Sequence, residues 1–351
     1  MSFSKNDLDI IKSKISIRNE LEKKTKLVRK GKDYWCCCPF HEEKTPSCKI
    51  NDESSSYYCF GCGAKGDIFT LYTDLYNYNF IDAVKELSQR AGVQINFENT
   101  KKSKQENRIE DIINVSCLWF QHNLNHSAAD ICTQYLKKRK LSKETIEKFR
   151  LGFSYNSDSS LYEYLKSKSF TEEELLKSNV VKLDKNKKFR DYFYKRLIFP
   201  IMNIQGKVVG FGGRSLDDSM PKYINSPESD LFKKRFLLYN LNLAKNSARK
   251  KNNLLICEGY MDVISLNQNG ISSVVAPLGT SLTEDQLNLS WTYSSKPTIM
   301  FDGDSAGIRA AYKSAIMSLP LLSAKKLLQF ITLPNNFDPD TYINAVSLMQ
   351  F

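Results

Sequence analysis

Several kinds of chemistry have little to work with in this chain. Only three of its 351 residues are histidine, so imidazole is scarce as a general base. No run of about 18 apolar residues occurs, which excludes a membrane-spanning helix and leaves no membrane partner to expect. The N-terminal stretch MSFSKNDLDIIKSK is polar and charged, unlike a secretory signal, so the expected location is the cytoplasm. Internal repeats and long low-complexity tracts are also missing, which sets repeat architectures aside.

What is present suits a globular protein of two or three domains: 41% hydrophobic and 26% charged residues over 351 positions. The formal net charge is +12 and the sequence pI is about 9.1. Such a surplus of Lys and Arg is the footprint of a protein that meets phosphate backbones. An AT-rich genome, which favours Lys and Asn everywhere, would leave the same surplus, so charge alone does not decide the partner. Nine cysteines in a cytoplasmic chain are not a disulfide framework, and their spacing carries more than their number. Cys117, Cys132 and Cys257 stand among apolar neighbours and read as small core residues.

Four stretches are expected. Residues 1–98 hold the cysteine cluster and end in FIDAVKELSQRA, a helical pattern closed by Gly92, then a short strand pattern. Residues 99–110 contain one apolar residue in twelve and read as a solvated linker, which could continue as an exposed helix but cannot bury a face. Residues 111–251 are mixed: DIINVSCLWFQHNL has helical spacing, while RLIFPIM and KVVGFGGR read as strands around Gln205-Gly206. Residues 252–351 alternate the runs LLIC, SSVVAP, TIMF and LLQFITL with helical stretches, the pattern of a parallel sheet with crossover helices. The fold class is therefore α/β multidomain: a small zinc-ribbon-like β domain, a mixed α+β subdomain and a parallel α/β subdomain.

Cys38 and His41 form one pair with two residues between them, Cys59 and Cys62 another, and seventeen residues separate the pairs. Three thiolates and one imidazole at this spacing suit a closed tetrahedral Zn²⁺ site, structural because no position stays open for water. Cys36 and Cys37 compete as ligands in principle, but only Cys38 has the CxxH spacing. Cys48 reads as core. The surrounding words WCCCPFHEEKTPSCKI and YYCFGCGAKGDIFTLY resemble the zinc-binding domain of bacterial and phage (DnaG-like) DNA primases over almost its whole length, with Cys48 where the family usually has Phe. The resemblance implies a role in selecting start sites on single-stranded DNA. Tyr34, Tyr57, Tyr58 and Phe60, with Lys30, Lys32, Lys44, Lys49 and Lys65 nearby, offer ring faces for bases and charges for phosphates. The same rings could instead fill a small core, and some of each is expected.

A second constellation is acidic. LLIC leads to Glu258 and, four residues on, Asp262; TIMF leads to Asp302 and Asp304; ITLPNNF leads to Asp338 and Asp340. The C-terminal ends of parallel strands gather at one edge, so these carboxylates would converge there. Crowded carboxylates repel one another unless cations neutralise them, and an all-oxygen set suits Mg²⁺ or Mn²⁺. The set resembles the Toprim domain shared by primases, topoisomerases and some nucleases. Glu258, Asp302 and Asp304 are the expected central ligands; Asp262, Asp338 and Asp340 would hold or orient further ions.

RLIFPI, GKVVGFGGRSL and PKYINSPESDLFKKRF precede the acids. Together with them they resemble the RNA polymerase domain of bacterial primases over nearly all of residues 111–351. The resemblance implies that Arg214 and Lys222 line a groove for template and NTPs, with Lys233 or Lys234 as a further cation. Tyr194-Lys195-Arg196 stands where the family often has Arg-x-Arg, so Lys195 and Arg196 join the candidates with that departure noted. The implied activity is RNA primer synthesis on single-stranded DNA, a nucleotidyl transfer assisted by two divalent ions. The alternatives are a Toprim nuclease or topoisomerase-like enzyme, or a non-catalytic single-strand-binding regulator of replication. Family members also carry a C-terminal helicase-docking domain, and eleven residues after Asp340 are too few for one. Contact with a replicative helicase would then use another surface, and this compactness fits a phage-type protein.

Overall fold

The computed structural model describes residues 5–349 apart from 77, 79, 94–99, 127–128, 156, 158–159, 218, 280 and 325. The chain divides into two units, residues 1–100 with 245–253, and residues 101–244 with 254–351.

In the first unit, α1 (Lys5–Lys14) and α2 (Ile17–Glu22) precede an antiparallel meander. Its strands are β1 (Leu27–Lys30), β2 (Asp33–Cys36), β3 (Cys48–Asn51), β4 (Ser56–Cys59) and β5 (Lys65–Asp67), paired in sequence order. Alternation decides its faces: Cys48, Ile50, Tyr57 and Cys59 are buried, while Lys49 and Tyr58 point the other way. The inward set packs with Ile11, Ile17, Leu21, Ile68, Leu71, Val84 and Leu87. The last four of these come from α3 (Ile68–Leu75) and α4 (Phe80–Ala91), the latter closed at Gly92 with φ +61°. The strand pattern expected just beyond falls largely outside the described residues.

The second unit opens with α5 (Thr100–Asn123), so the segment expected as a linker continues as a helix. Residues 100–110 are the first turns of this helix, and Arg108, Ile109 and Glu110 find partners, the last accepting from Lys207 Nζ at 3.0 Å. Arg108 makes a double hydrogen bond to Glu174 (2.9 and 3.1 Å), and Ile109 packs on a buried apolar cluster. Glu174 and Lys207 lie 66 and 97 residues away, so local composition could not show them. Then come α6 (Asp130–Lys138), α7 (Lys143–Lys148), β6 (Gly152–Ser154), α8 (Ser160–Ser167), α9 (Glu172–Lys177) and the hairpin β7 (Val181–Leu183) and β8 (Phe189–Asp191). The expected strands are β9 (Arg196–Met202) and β10 (Val208–Ser215), which with β11 (Tyr223–Asn225) form an antiparallel sheet ordered β11-β10-β9-β6.

Next are β12 (Leu238–Tyr239), α10 (Leu241–Lys251), β13 (Leu255–Ile256), α11 (Tyr260–Gln268), β14 (Val274–Pro277), α12 (Glu284–Trp291), β15 (Thr298–Ile299), α13 (Ser305–Ser318), β16 (Gln329–Phe330) and α14 (Pro339–Met349). The sheet order is β12-β14-β13-β15-β16, parallel except at the β12 edge. β13, β14 and β15 are buried, which is why LLIC and SSVVAP read as unbroken apolar runs rather than alternations. Cys117, Cys132 and Cys257 are fully buried. No described helix is long and apolar enough to cross a membrane.

Candidate metal centre and acidic strand-end site

Cys38 and His41 follow the end of β2; Cys59 ends β4, and Cys62 lies in the turn before β5. The ligand atoms of all four lie within 4.8 Å of one another. The Sγ atoms of Cys38 and Cys62 are 3.6 Å apart, and Cys59 Sγ lies 3.9 Å from His41 Nδ1. Zn–S bonds of about 2.3 Å at tetrahedral angles require S···S edges of about 3.8 Å, so the residues fit zinc. Contact with Cys48 and then Cys59 pushes the Cys38 thiol up, contact with Cys38 and then Cys59 pushes Cys62 up, and the neighbouring Cys38 and Cys62 hold Cys59 down. Three thiolates at this distance need a cation between them.

A second layer orients the ligands. His41 Nε2 stands 3.1 Å from Glu43 Oε2, leaving Nδ1 toward the thiols. Glu43 Oε1 accepts from the Cys38 N–H at 2.6 Å and the Ser47 N–H at 3.3 Å. Although burial pushes the Glu43 carboxyl up, Ser47, these amides and His41 hold it below its usual range. A carboxylate behind a ligating imidazole fixes its tautomer and raises its basicity.

The aromatics expected near this centre divide. Tyr57 is buried and stacked on Phe40; Tyr34 is half-buried with Arg18 over its ring. Tyr58 and Phe60 are exposed and meet edge to face at 4.8 Å, and Phe60 stacks on Trp35 at 5.5 Å. Lys30 Nζ lies 4.9 Å from the Trp35 ring centre, and Lys49 and Lys65 are the cross-strand partners of Tyr58. One sheet face therefore carries three rings and three lysines. Trp35 was not among the aromatics expected from the sequence, yet alternation along β2 would have put it on this face.

At the other site, hydrogen bonds from Met300 N–H to Ile256 O and from Ile331 N–H to Ile299 O align β13, β15 and β16, so their C-terminal ends lie side by side. Glu258 Oε1 accepts from the Asp302 N–H at 3.1 Å. Asp304 caps α13, its Oδ1 accepting from the Ala306 and Gly307 N–H groups at 2.8 Å. The Gly303 N–H donates to Phe337 O at 2.8 Å, tying the Asp302–Asp304 loop to the Asp338 segment. Gly307 has no room for a side chain: a Cβ there would stand 2.2 Å from Asp302 O and 2.8 Å from Glu258 Oε1.

Burial, then Glu258, Asp338 and Asp304, push the Asp302 carboxyl up to about 7. Burial and Asp304 push Glu258 up; burial, Asp302 and Asp338 push the deeply buried Asp262 well up. Asp302 Oδ1 is buried with no hydrogen-bond partner. A carboxylate oxygen kept dry among like charges fits a hard divalent cation. Among the described residues the acids form no cluster as tight as the Cys₃His set. Mg²⁺-type ions, which keep several waters and need only one or two carboxylates, require none.

Asp338 faces Asp302 while its Oδ1 accepts from the Thr341 N–H at 2.6 Å. Asp340 departs from expectation as an ion ligand. It is buried, and it already has a cation in Arg139 at 2.5 Å and an amide in Asn344 at 2.9 Å.

The basic residues also divide. The Arg214 guanidinium lies between the rings of Tyr135 (4.4 Å) and Tyr223 (5.4 Å), donates to the Tyr223 hydroxyl at 2.9 Å and keeps a buried, partnerless Nε. With Tyr135, Ser215, Asp217 and exposed Lys222 it lines a cavity of about 380 Å³. Lys233 lines a different cavity of about 780 Å³ with Lys177 and Arg235; Lys234 sits over Phe232, its N–H donating to Glu228 at 3.1 Å. Lys195 is half-exposed beside Tyr194. Arg196 departs from the groove expectation: it is buried, and its Nη1 donates to the carbonyls of Gly213 and Lys222, bracing β10 and the approach to β11. The sequence reading missed Glu43, Tyr135 and Arg139. Only Glu43, two residues after a ligand, had a local signal.

Comparisons with known proteins agree along the whole chain. Residues 3–103 match the CHC2 zinc finger, 119–245 the N-terminal domain of the DNA primase catalytic core, and 255–343 a Toprim-like domain. The DNA primase of Buchnera aphidicola is 38% identical over 342 residues, covering 97% of this chain and 59% of that protein. The chain thus spans less than two thirds of the curated relatives' length. Among solved structures, the zinc-binding and RNA polymerase domains of the Aquifex aeolicus primase match with a TM-score of 0.63 at 31% identity, covering 100% of this chain and 85% of that one. A DnaG primase catalytic domain bound to single-stranded DNA matches with a TM-score of 0.65 at 35% identity, covering 71% of this chain and 78% of that one.

Proposed function

Because this chain belongs to the DnaG-type DNA primase family, we propose that it synthesises short RNA primers on single-stranded DNA in the cytoplasm. In the reaction the 3′-hydroxyl oxygen of one nucleotide bonds to the α-phosphorus of the next NTP, and the bond to pyrophosphate breaks. Glu258, Asp302 and Asp304, with Asp262 and Asp338 behind them, would hold Mg²⁺ or Mn²⁺. Such ions neutralise the charge that builds on the attacking and leaving oxygens.

The remaining steps fall to the protein's own groups. Arg214, held against the Tyr135 ring and the Tyr223 hydroxyl, and Lys222 bind triphosphate or template phosphates through fixed cationic donors. Lys233, which lines the other cavity, and Lys234 offer further cations for phosphates. The Trp35, Tyr58 and Phe60 face stacks template bases while Lys30, Lys49 and Lys65 meet their phosphates. Asp340 holds Arg139, which adjoins Tyr135 and through it Arg214, so the acidic and basic sides are positioned together.

The observation that carries this reading is Asp302: among crowded acids at a parallel sheet edge, with one buried oxygen unpartnered. The test is synthesis of labelled RNA from NTPs on a random single-stranded DNA library with Mg²⁺ or Mn²⁺. Discrete template-dependent products should fall about a thousandfold or more in Asp302→Ala, with DNA binding retained. Metal-dependent cleavage of the DNA in place of RNA synthesis would overturn the proposal.

A further inference from the structure

Two of the three histidines take no part in anything above, and they lie together. His122 is on the last turn of α5. Beyond it the chain tightens into i→i+3 bonds: the Asn125 N–H donates to His122 O at 3.1 Å, and the His126 N–H to Asn123 O at 3.2 Å. This turn lays the His126 ring over the His122 ring, with centroids 4.5 Å apart and planes at 60°. Both rings are exposed.

The nitrogens are not arranged as an ordinary hydrogen bond. His126 Nε2 stands 3.3 Å from His122 Nδ1 and 3.4 Å from His122 Nε2, favouring neither. A different geometry does fit. Two imidazole nitrogens bound at about 2.0–2.1 Å and tetrahedral angles are separated by about 3.3–3.4 Å. The Nε2–Nε2 separation already has that value, and exposed rings turn on a ps–ns scale at no packing cost to aim both lone pairs at one point.

We propose that His122 and His126 form a two-nitrogen clip for a borderline transition-metal dication such as Zn²⁺, Ni²⁺ or Cu²⁺, distinct from the Cys₃His centre and the acidic site. The donor set decides the class. Imidazole suits these ions, whereas Mg²⁺ and Ca²⁺ require oxygen. Among the described residues no third His, Cys, Asp or Glu completes the cluster, so water or a donor from another molecule fills the remaining positions. The clip does not depend on the primase reading, because its residues and ligand class are separate from the polymerising site.

Tag-free full chain carrying one zinc per chain, with Mg²⁺ in large excess to fill the acidic site, titrated with Ni²⁺ by calorimetry tests this, with chain zinc content followed throughout. The expected result is uptake of one Ni²⁺ per chain without loss of the structural zinc. His122→Ala and His126→Ala should each raise the dissociation constant about tenfold or more. Cu²⁺ in place of Ni²⁺ should give an electron spin resonance signal split by two nitrogens, reduced to one in either variant. Thermal melts confirm that the variants are folded, and His122→Gln serves if the alanine is not. No Ni²⁺ uptake by the chain carrying one zinc, or uptake unchanged in both variants, overturns the proposal.

Discussion

The zinc centre and the acidic site are both answers to crowded negative charge, and they differ in how completely the protein supplies the answer. At the zinc centre four ligands come from 25 residues of one small sheet, and a carboxylate already orients the imidazole. At the acidic site the carboxylates come from three strand ends spread over 80 residues, and one Asp302 oxygen has no partner at all. A closed ligand set makes a metal part of the fold; an open one leaves room for a substrate to complete the shell.

Breaking the closed set should have the largest effect. Structural zinc in small domains is worth on the order of 10 kcal/mol, so Cys59→Ser should release zinc and unfold the first unit. Zinc content and circular dichroism of that variant check this; a retained zinc and an unchanged melt would mean another thiol had taken the position. The pair of buried Asp340 and half-buried Arg139 comes next. Arg139→Ala strands a buried carboxylate and should cost about 3 kcal/mol by urea unfolding, while Asp340→Asn with Arg139→Met should recover much of it. Glu43→Gln keeps all four zinc ligands but loses the charge behind His41. Zinc affinity should fall about 10-fold to 100-fold in competition with a chelator.

A pH dependence separates the two sites. The folded chain holds the Asp302 proton up to about 7, against an ordinary value of 3.8. The folded state therefore binds this proton more tightly than the unfolded one, and the associated stability is full below about 4 and lost as pH rises through about 7. Metal-free protein should melt lower as pH rises through that window. Asp302→Asn should flatten the dependence, and Mg²⁺ should raise the melting temperature more above pH 7 than below pH 5. Equal Mg²⁺ stabilisation at both pH values would remove Asp302 from the ion's shell.

Much of this was legible because the signals are local. Cys38, His41, Cys59 and Cys62 declare themselves by spacing, and turns between adjacent strands bring them together. Glu258, Asp302 and Asp338 are legible because each follows an apolar run, and parallel strands put their ends at one edge. Arg139 was not legible: its carboxylate is 201 positions away, and nothing around KKRKLS distinguishes it from a solvated lysine-rich turn. Arg196 misled for the converse reason, since the sequence shows a cation but not the two carbonyls that hold it inside.

By itself, then, the sequence determined the order of the domains, the zinc ligands, the parallel sheet and the strand ends that carry acid. All of these follow from periodicity and short spacing. Only the tertiary structure decided which charges are already neutralised and which stand open. Asp302 and Asp340 both belong to acidic pairs that follow an apolar run in the sequence, yet one keeps a bare oxygen and the other an arginine. The state of a carboxylate depends on burial and on the charges within a few ångströms, and those neighbours are chosen by folding across the chain, not along it.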